Sequence, residues 1–150
     1  MTKKVERTLT IAAPPERAWK AWVNEMNAWW TEPYYNDHVR RTGLCMEPKL
    51  GGRYIEQWGA DGAGFLIGVI TEWLPPERLA YTWSQADWGG VFTLVRIQLL
   101  PDGQGSTRII YVQEGFERLP DGDHVRDGYD YGCNELTNRL KNYVERGQPA

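Results

Sequence analysis

The spacing of apolar positions along the chain switches between the period of a strand and that of a helix three times. Residues 4 to 12 alternate, with Val5, Arg7, Leu9 and Ile11 on one side and Glu6, Thr8 and Thr10 on the other, which predicts a half-buried first strand. Pro14 and Pro15 end that strand and suit a helix start, and Ala18, Trp19, Trp22 and Val23 then share a helical face. Asn24 is placed to cap a second short helix through Met26 to Trp30, limited by Pro33. The pattern is mixed from Tyr34 to Leu50, with a strand expected around His38 to Met46. Gly51 and Gly52 mark a turn or bulge. Arg53 to Trp58 and Phe65 to Leu74 read as a hairpin around the GADGAG turn, closed by Pro75 and Pro76. Three further strands are predicted at Leu79–Trp83, Phe92–Leu100 and Thr107–Gln113, separated by the SQADWGG loop and the PDGQGS turn.

After Gly122 the period becomes helical. Val125, Tyr129, Gly132, Cys133, Leu136, Leu140, Tyr143 and Val144 recur at three- and four-residue spacing, so they occupy one face. Asp127, Asp130, Asn134, Asn138, Lys141 and Glu145 fill the other, and Glu135 precedes Arg139 by four residues, the favourable order for a helical ion pair. Asp123 is the expected N-cap, and Gly147 followed by Pro149 the stop. A helix this long needs a surface to cover. The order of elements therefore predicts an α+β fold in which a curved antiparallel sheet wraps the C-terminal helix, with two short helices after the first strand and a cavity between sheet and helix.

Composition narrows the function classes. The 150 residues form one domain of common size, able to bury about 70% of the unfolded surface. A net charge of −3 with interleaved signs offers no footprint for nucleic acid or anionic lipid. The chain has neither a secretory h-region nor an apolar stretch long enough to span a bilayer, so a soluble cytoplasmic protein is expected. Cys45 and Cys133 are too few for a metal cluster or disulfide scaffold and read as reduced thiols. His38 and His124 sit beside acidic residues in or near expected loops, where exposure is a better reading than catalysis or metal binding. The glycine-rich GADGAG and DGQG segments lack the spacing and following helix of a phosphate loop. No metal and no cofactor is expected. Eight Trp beside eight Tyr supply many flat side chains with a polar handle.

The opening ERTLTIAAPPERAWKAW, the Trp29-Trp30 and Gly51-Gly52 pairs, the segment GVITEWLPPERLAYTW and the terminal GYDYGCNELTNRLKNYVERG resemble the START-like, Bet v 1-like (SRPBCC) superfamily, in its Hsp90 ATPase activator homologue branch. The resemblance spans nearly the whole chain. It implies a helix-grip fold whose cavity, in many relatives, accepts hydrophobic small molecules, and it implies no universal catalytic residue. Relatives include lipid and phenolic carriers, polyketide aromatases and cyclases, and a chaperone-binding domain, so the fold alone does not choose among them.

Several residues are candidates for the cavity. Tyr54, Glu56 and Trp58 share one face of their strand. A carboxylate in an apolar cavity has its charged form disfavoured, making Glu56 a candidate acid, base or ligand anchor. The competing reading sets Glu56 at a strand end, in water or paired with Arg53 or Arg78. The resemblance turns Thr107, Ile109, Tyr111 and Gln113 inward, so that Tyr111 and Gln113 either orient a ligand or bond each other internally. Leu79, Tyr81 and Trp83 share a face and read first as core, although Trp83 remains a candidate lining residue. One of Trp29 and Trp30 should be core and the other rim, with Trp30 kept as a site candidate. On the helix, Gly128, Tyr129, Gly132 and Cys133 are the expected ligand-facing part. Each interior glycine costs the helix about 1 kcal/mol relative to Ala, which close approach of backbone or ligand would offset. Val125, Leu136, Leu140 and Val144 are assigned to packing.

Three function classes follow. The first is a non-catalytic binding protein for a small hydrophobic, aromatic or lipid-like molecule. The second is an aromatase, cyclase or hydrolase using Glu56 with Tyr111 or Gln113. The third is a module that stimulates a chaperone ATPase; the chain opens almost directly on its first strand, leaving no room for the extra domain of the eukaryotic activators, which weighs against this class.

Overall fold

In the computed structural model, which describes residues 4–40 and 42–150, the alternation of the first segment becomes strand β1 (Val5–Ile11) and Pro15 opens helix α1 (Pro15–Val23). Six strands follow: β2 (Gly43–Met46), β3 (Arg53–Gln57), β4 (Gly64–Leu74), β5 (Arg78–Trp83), β6 (Thr93–Asp102) and β7 (Ser106–Glu114). They form an antiparallel sheet in the order β1-β7-β6-β5-β4-β3-β2. The meander from β2 to β7 is thus completed by β1, whose Val5 pairs with Gln113 and whose Ile11 pairs with Thr107. The sheet curls into a half-barrel around helix α2 (Gly122–Arg146), giving the helix-grip fold.

The core lies where α1, the concave sheet face and the C-terminal half of α2 meet. Trp19, Trp22 and Val23 bring the buried face of α1, Val95, Ile97, Leu99 and Ile109 come from the sheet, and Leu140 from α2. Among the described residues, no helix is long and apolar enough to cross a membrane.

Four local expectations are corrected. Asn24 closes α1, donating its backbone N–H to the Lys20 carbonyl, and the expected second helix shrinks to one 3₁₀ turn at Met26–Ala28. That turn is held by Asn27, whose side-chain amide pairs with both backbone groups of Leu44. The strand expected from His38 begins only at Gly43, because residues 37 to 40 curl around the Asp37 carboxylate, which accepts the backbone N–H groups of Val39 and Arg40. The final helix starts at Gly122, with Asp121 in the left-handed conformation before it, so Asp123 lies in the first turn instead of capping it. Glu135 and Arg139 are directed to other partners, the Tyr34 hydroxyl and the Trp29 carbonyl.

Strand β4 explains why its sequence lacked alternation. Its register shifts against β3 between Tyr54 and Ile55, and against β5 between Ile70 and Glu72. Ile67 and Ile70 therefore both face the core despite their odd spacing, while Leu66 and Val69 are exposed. The strand is buried on one side only. At Gly68 a Cβ would stand 1.8 Å from the Thr82 carbonyl oxygen, so this bend admits only glycine.

Leu140 is fully buried between sheet and helix. Leu140→Ala is expected to lower stability by about 2–5 kcal/mol in denaturant unfolding, and a loss below about 1 kcal/mol would show that the helix does not close the core.

Candidate functional site

The inward face of α2 changes character along its length. Leu140, Tyr143 and Val144 pack the C-terminal half against the core, whereas Gly128, Gly132, Cys133 and Thr137 present small side chains to the sheet further up. Opposite them stand aromatic residues of α1, β5 and β7. Small residues on the helix cannot fill that concavity, and a cavity of about 630 Å³ remains.

Three segments form its mouth. They are residues 33 to 38, the loop at Gln85–Asp87, and the first turns of α2 around His124 and Gly128. The polar groups of the wall are largely tied to one another. Tyr111 Oη donates to Gln113 Oε1 (2.8 Å), and Gln113 Nε2 donates to Thr93 Oγ1 (2.9 Å). Trp83 Nε1 donates to Tyr129 Oη (2.8 Å), which in turn donates to Gln85 Oε1. Trp29 and Trp30 spend their indole N–H groups on the carbonyls of Ala21 and Tyr34. Burial raises the Tyr81, Tyr111 and Tyr129 phenols above their ordinary values, so all three stay protonated near neutrality.

Of the residues anticipated from sequence, Trp30, Trp83, Tyr111, Gln113, Gly128, Tyr129, Gly132 and Cys133 line this cavity. Tyr111 and Gln113 do both things considered for them, bonding each other and facing the space. Trp29 and Trp30 also both line it, Trp29 as a buried side chain and Trp30 as a half-buried one. The two helix glycines differ. A Cβ at Gly132 would meet the Tyr34 ring at 2.8 Å, so that glycine accommodates an aromatic neighbour, whereas nothing lies within 4 Å of a Cβ at Gly128. Val125 and Leu136, assigned to packing, border the cavity as well.

Tyr54, Glu56 and Trp58 are not among its lining residues. Tyr54 stands behind the wall, with its ring against Tyr81 and Trp83 and its hydroxyl directed to Met26 Sδ. It borders a separate cavity of about 160 Å³. Glu56 is completely buried, and neither Arg53 nor Arg78 is its partner; those pair with Glu47 and Glu72. Its carboxylate accepts four N–H groups: the backbone and side chain of Asn36 at Oε1 (2.7 and 3.1 Å), and Asp37 N and Trp58 Nε1 at Oε2 (2.8 and 2.7 Å). Asn36 Oδ1 then accepts the Ala86 N–H (2.9 Å), linking two of the mouth segments. The structural role of Glu56 is thus a clamp for the mouth. Bonds to all its acceptor positions leave it no free lone pair for general-base chemistry.

Sequence reasoning missed Trp22, Tyr34, Gln85 and Thr137. Trp22 shares a helical face with ordinary core residues, and Tyr34 and Gln85 lie in loops without periodicity, so only the tertiary fold brings them together. Thr137 sits between Cys133 and Leu140 in the inward stripe, where its hydroxyl is satisfied by the Cys133 carbonyl. Among the described residues, no group of three or more His, Cys, Asp or Glu is arranged to hold a metal ion.

A curled antiparallel sheet gripping a long helix around an aromatic-walled cavity defines the START-like, Bet v 1-like class of protein. Residues 12–145 match the family described as Activator of Hsp90 ATPase homolog 1-like protein, and the chain belongs to that family. Solved structures agree in fold. MLL2253 from Mesorhizobium loti is 21% identical with a TM-score of 0.72, covering 95% of this chain and 96% of that one. CalU16 from Micromonospora echinospora is 19% identical, TM-score 0.61, covering 100% and 86%. The anthrahydroquino-γ-pyrone synthase Txn09 is 30% identical over 73% of this chain and 75% of that chain, with a TM-score of 0.52. No curated protein matched the chain.

Two measurements check this geometry. Burial pushes the Cys133 thiol up to about 12, so it stays a neutral thiol below that pH. Cys45 is exposed. Alkylation at pH 8 should therefore show one fast thiol, Cys45 by peptide mapping; two equally fast thiols would contradict the burial of Cys133. Replacing the clamp by Glu56→Gln sets an amide NH₂ against N–H donors. The expected cost is about 2 kcal/mol or more, together with faster proteolysis within residues 33 to 40. Unchanged stability and cleavage would remove the clamp role.

Proposed function

We propose that this protein is a cytoplasmic binding protein for a small, planar, hydrophobic molecule held between α2 and the concave sheet face. The observation carrying this reading is the cavity itself: about 630 Å³, open at one end and walled by Trp, Tyr and apolar side chains. Trp30, Trp83, Tyr111, Tyr129 and Cys133 would be in contact with the ligand, and Gln113 would hold the Tyr111 hydroxyl in place. Stacking on several ring faces favours a planar ligand over a saturated chain.

A second reading, cyclisation or aromatisation of a bound polyketide-like substrate, draws on the likeness to a pyrone synthase. Glu56 is a poor agent for it, being clamped behind the wall, so such chemistry would fall to groups at the mouth such as His124 or Asp87. Chaperone activation, named in the family description, would need a surface outside this cavity.

Titration with flavonoid, anthraquinone and fatty-acid panels, read by tryptophan quenching and melting temperature, tests the binding reading. One planar ligand per chain with a raised melting temperature is expected. Gly128→Leu extends a side chain at the cavity margin where no atom stands in its way. It should raise helix stability by up to about 1 kcal/mol while weakening binding about tenfold. Binding that survives in full would place the ligand elsewhere.

A further inference from the structure

The hydrogens of the cavity wall can be followed outward from one backbone group. The Trp83 carbonyl can only accept, so Thr93 gives its hydroxyl hydrogen there (3.3 Å) and must itself accept from Gln113 Nε2 (2.9 Å). That turns Gln113 Oε1 toward Tyr111, which donates to it (2.8 Å). Tyr111 Oη has thus committed its hydrogen, and it keeps lone pairs for the cavity that Tyr111 lines.

Tyr81 is set the opposite way. Its hydroxyl oxygen accepts from the Trp22 N–H, which has no other acceptor, and among the described residues no acceptor takes the Tyr81 hydrogen. The oxygen is not one of the polar atoms sealed off without a partner. Tyr81 is 3% exposed, and the surface it keeps opens on the cavity it lines. The two phenols are neighbours: the Trp22 ring stands 6.0 Å from that of Tyr111 while its N–H reaches Tyr81, and the Tyr81 phenol is close enough to oppose ionisation of Tyr111.

The sheet wall therefore shows a donor and an acceptor near each other, and no Lys or Arg is among the described lining residues. A carbonyl or ether oxygen would answer Tyr81 and leave Tyr111 unanswered. A carboxylate would face the lone pairs of Tyr111 and lose its hydration with no cation to meet it. A neutral hydroxyl group satisfies both, accepting from Tyr81 and donating to Tyr111.

Resting on the binding reading above, we propose that Tyr81 and Tyr111 are the specificity-determining pair of the cavity, and that the ligand is a planar aromatic molecule whose inner end carries a neutral hydroxyl group.

The test compares 2-naphthol, 2-methoxynaphthalene and naphthalene by equilibrium dialysis at pH 7. Apolar burial alone would rank the naphthol last, because its hydroxyl must leave water. The pair reverses that order: 2-naphthol should bind about tenfold more tightly than naphthalene, the worth of a well-made buried hydrogen bond, with the methoxy compound between them. In Tyr81→Phe and in Tyr111→Phe the naphthol preference should fall below about twofold, while naphthalene affinity stays within about threefold. Where one variant does not fold, the other and the ranking in the native protein decide. Naphthol binding no tighter than naphthalene, or a preference that survives either substitution, overturns the hydroxyl assignment and leaves the binding reading standing. No binding of any of the three overturns both.

Discussion

The structure depends on a mismatch of size between the two surfaces that face each other. The concave sheet presents large aromatic side chains, and the upper half of α2 answers with Gly128, Gly132, Cys133 and Thr137. Two surfaces that interdigitated at interior density would leave no space. Here the helix is anchored lower down, where Leu140 is wholly buried and Tyr143 reaches Glu25 beside α1. The cavity lies where Gly128, Gly132, Cys133 and Thr137 leave room between the bulkier Val125, Tyr129 and Leu136 that also border it.

The same logic accounts for the mouth. A cavity open at one end needs loops that stay in place without a core beneath them. The Glu56 carboxylate supplies this for residues 36 and 37, and Asn36 passes the restraint to the loop at Ala86. Tyr34 adds a second tie, its ring over Gly132 and its hydroxyl on Glu135. The buried Glu56 carboxylate, one of the candidates from sequence, holds the frame around the cavity through its four N–H partners.

Periodic segments carried the fold, and irregular ones hid the site. The alternation of β1 and β7 and the three- and four-residue spacing of α2 were legible because one buried face imposes one period. Strand β4 was legible as a strand but not in which of its residues face inward, since two register shifts change that. Trp22 was legible as a helix residue but not as a cavity-lining one, because the residues that stand around the space with it, such as Tyr81, Tyr111 and Cys133, lie far away in sequence. Glu56 shows the opposite case. Its buried parity was visible, whereas three of its four N–H donors belong to Asn36 and Asp37, about twenty positions earlier, which no spacing rule connects to it.

Diffraction from a crystal held under xenon tests the central claim most directly, since xenon enters apolar cavities that packed side chains would deny it. The account predicts xenon density between the upper half of α2 and the rings of Trp22, Tyr81 and Tyr111, with the surrounding side chains in place. A structure in which those rings collapse onto Gly128 and Cys133, leaving no room for the gas, would contradict it.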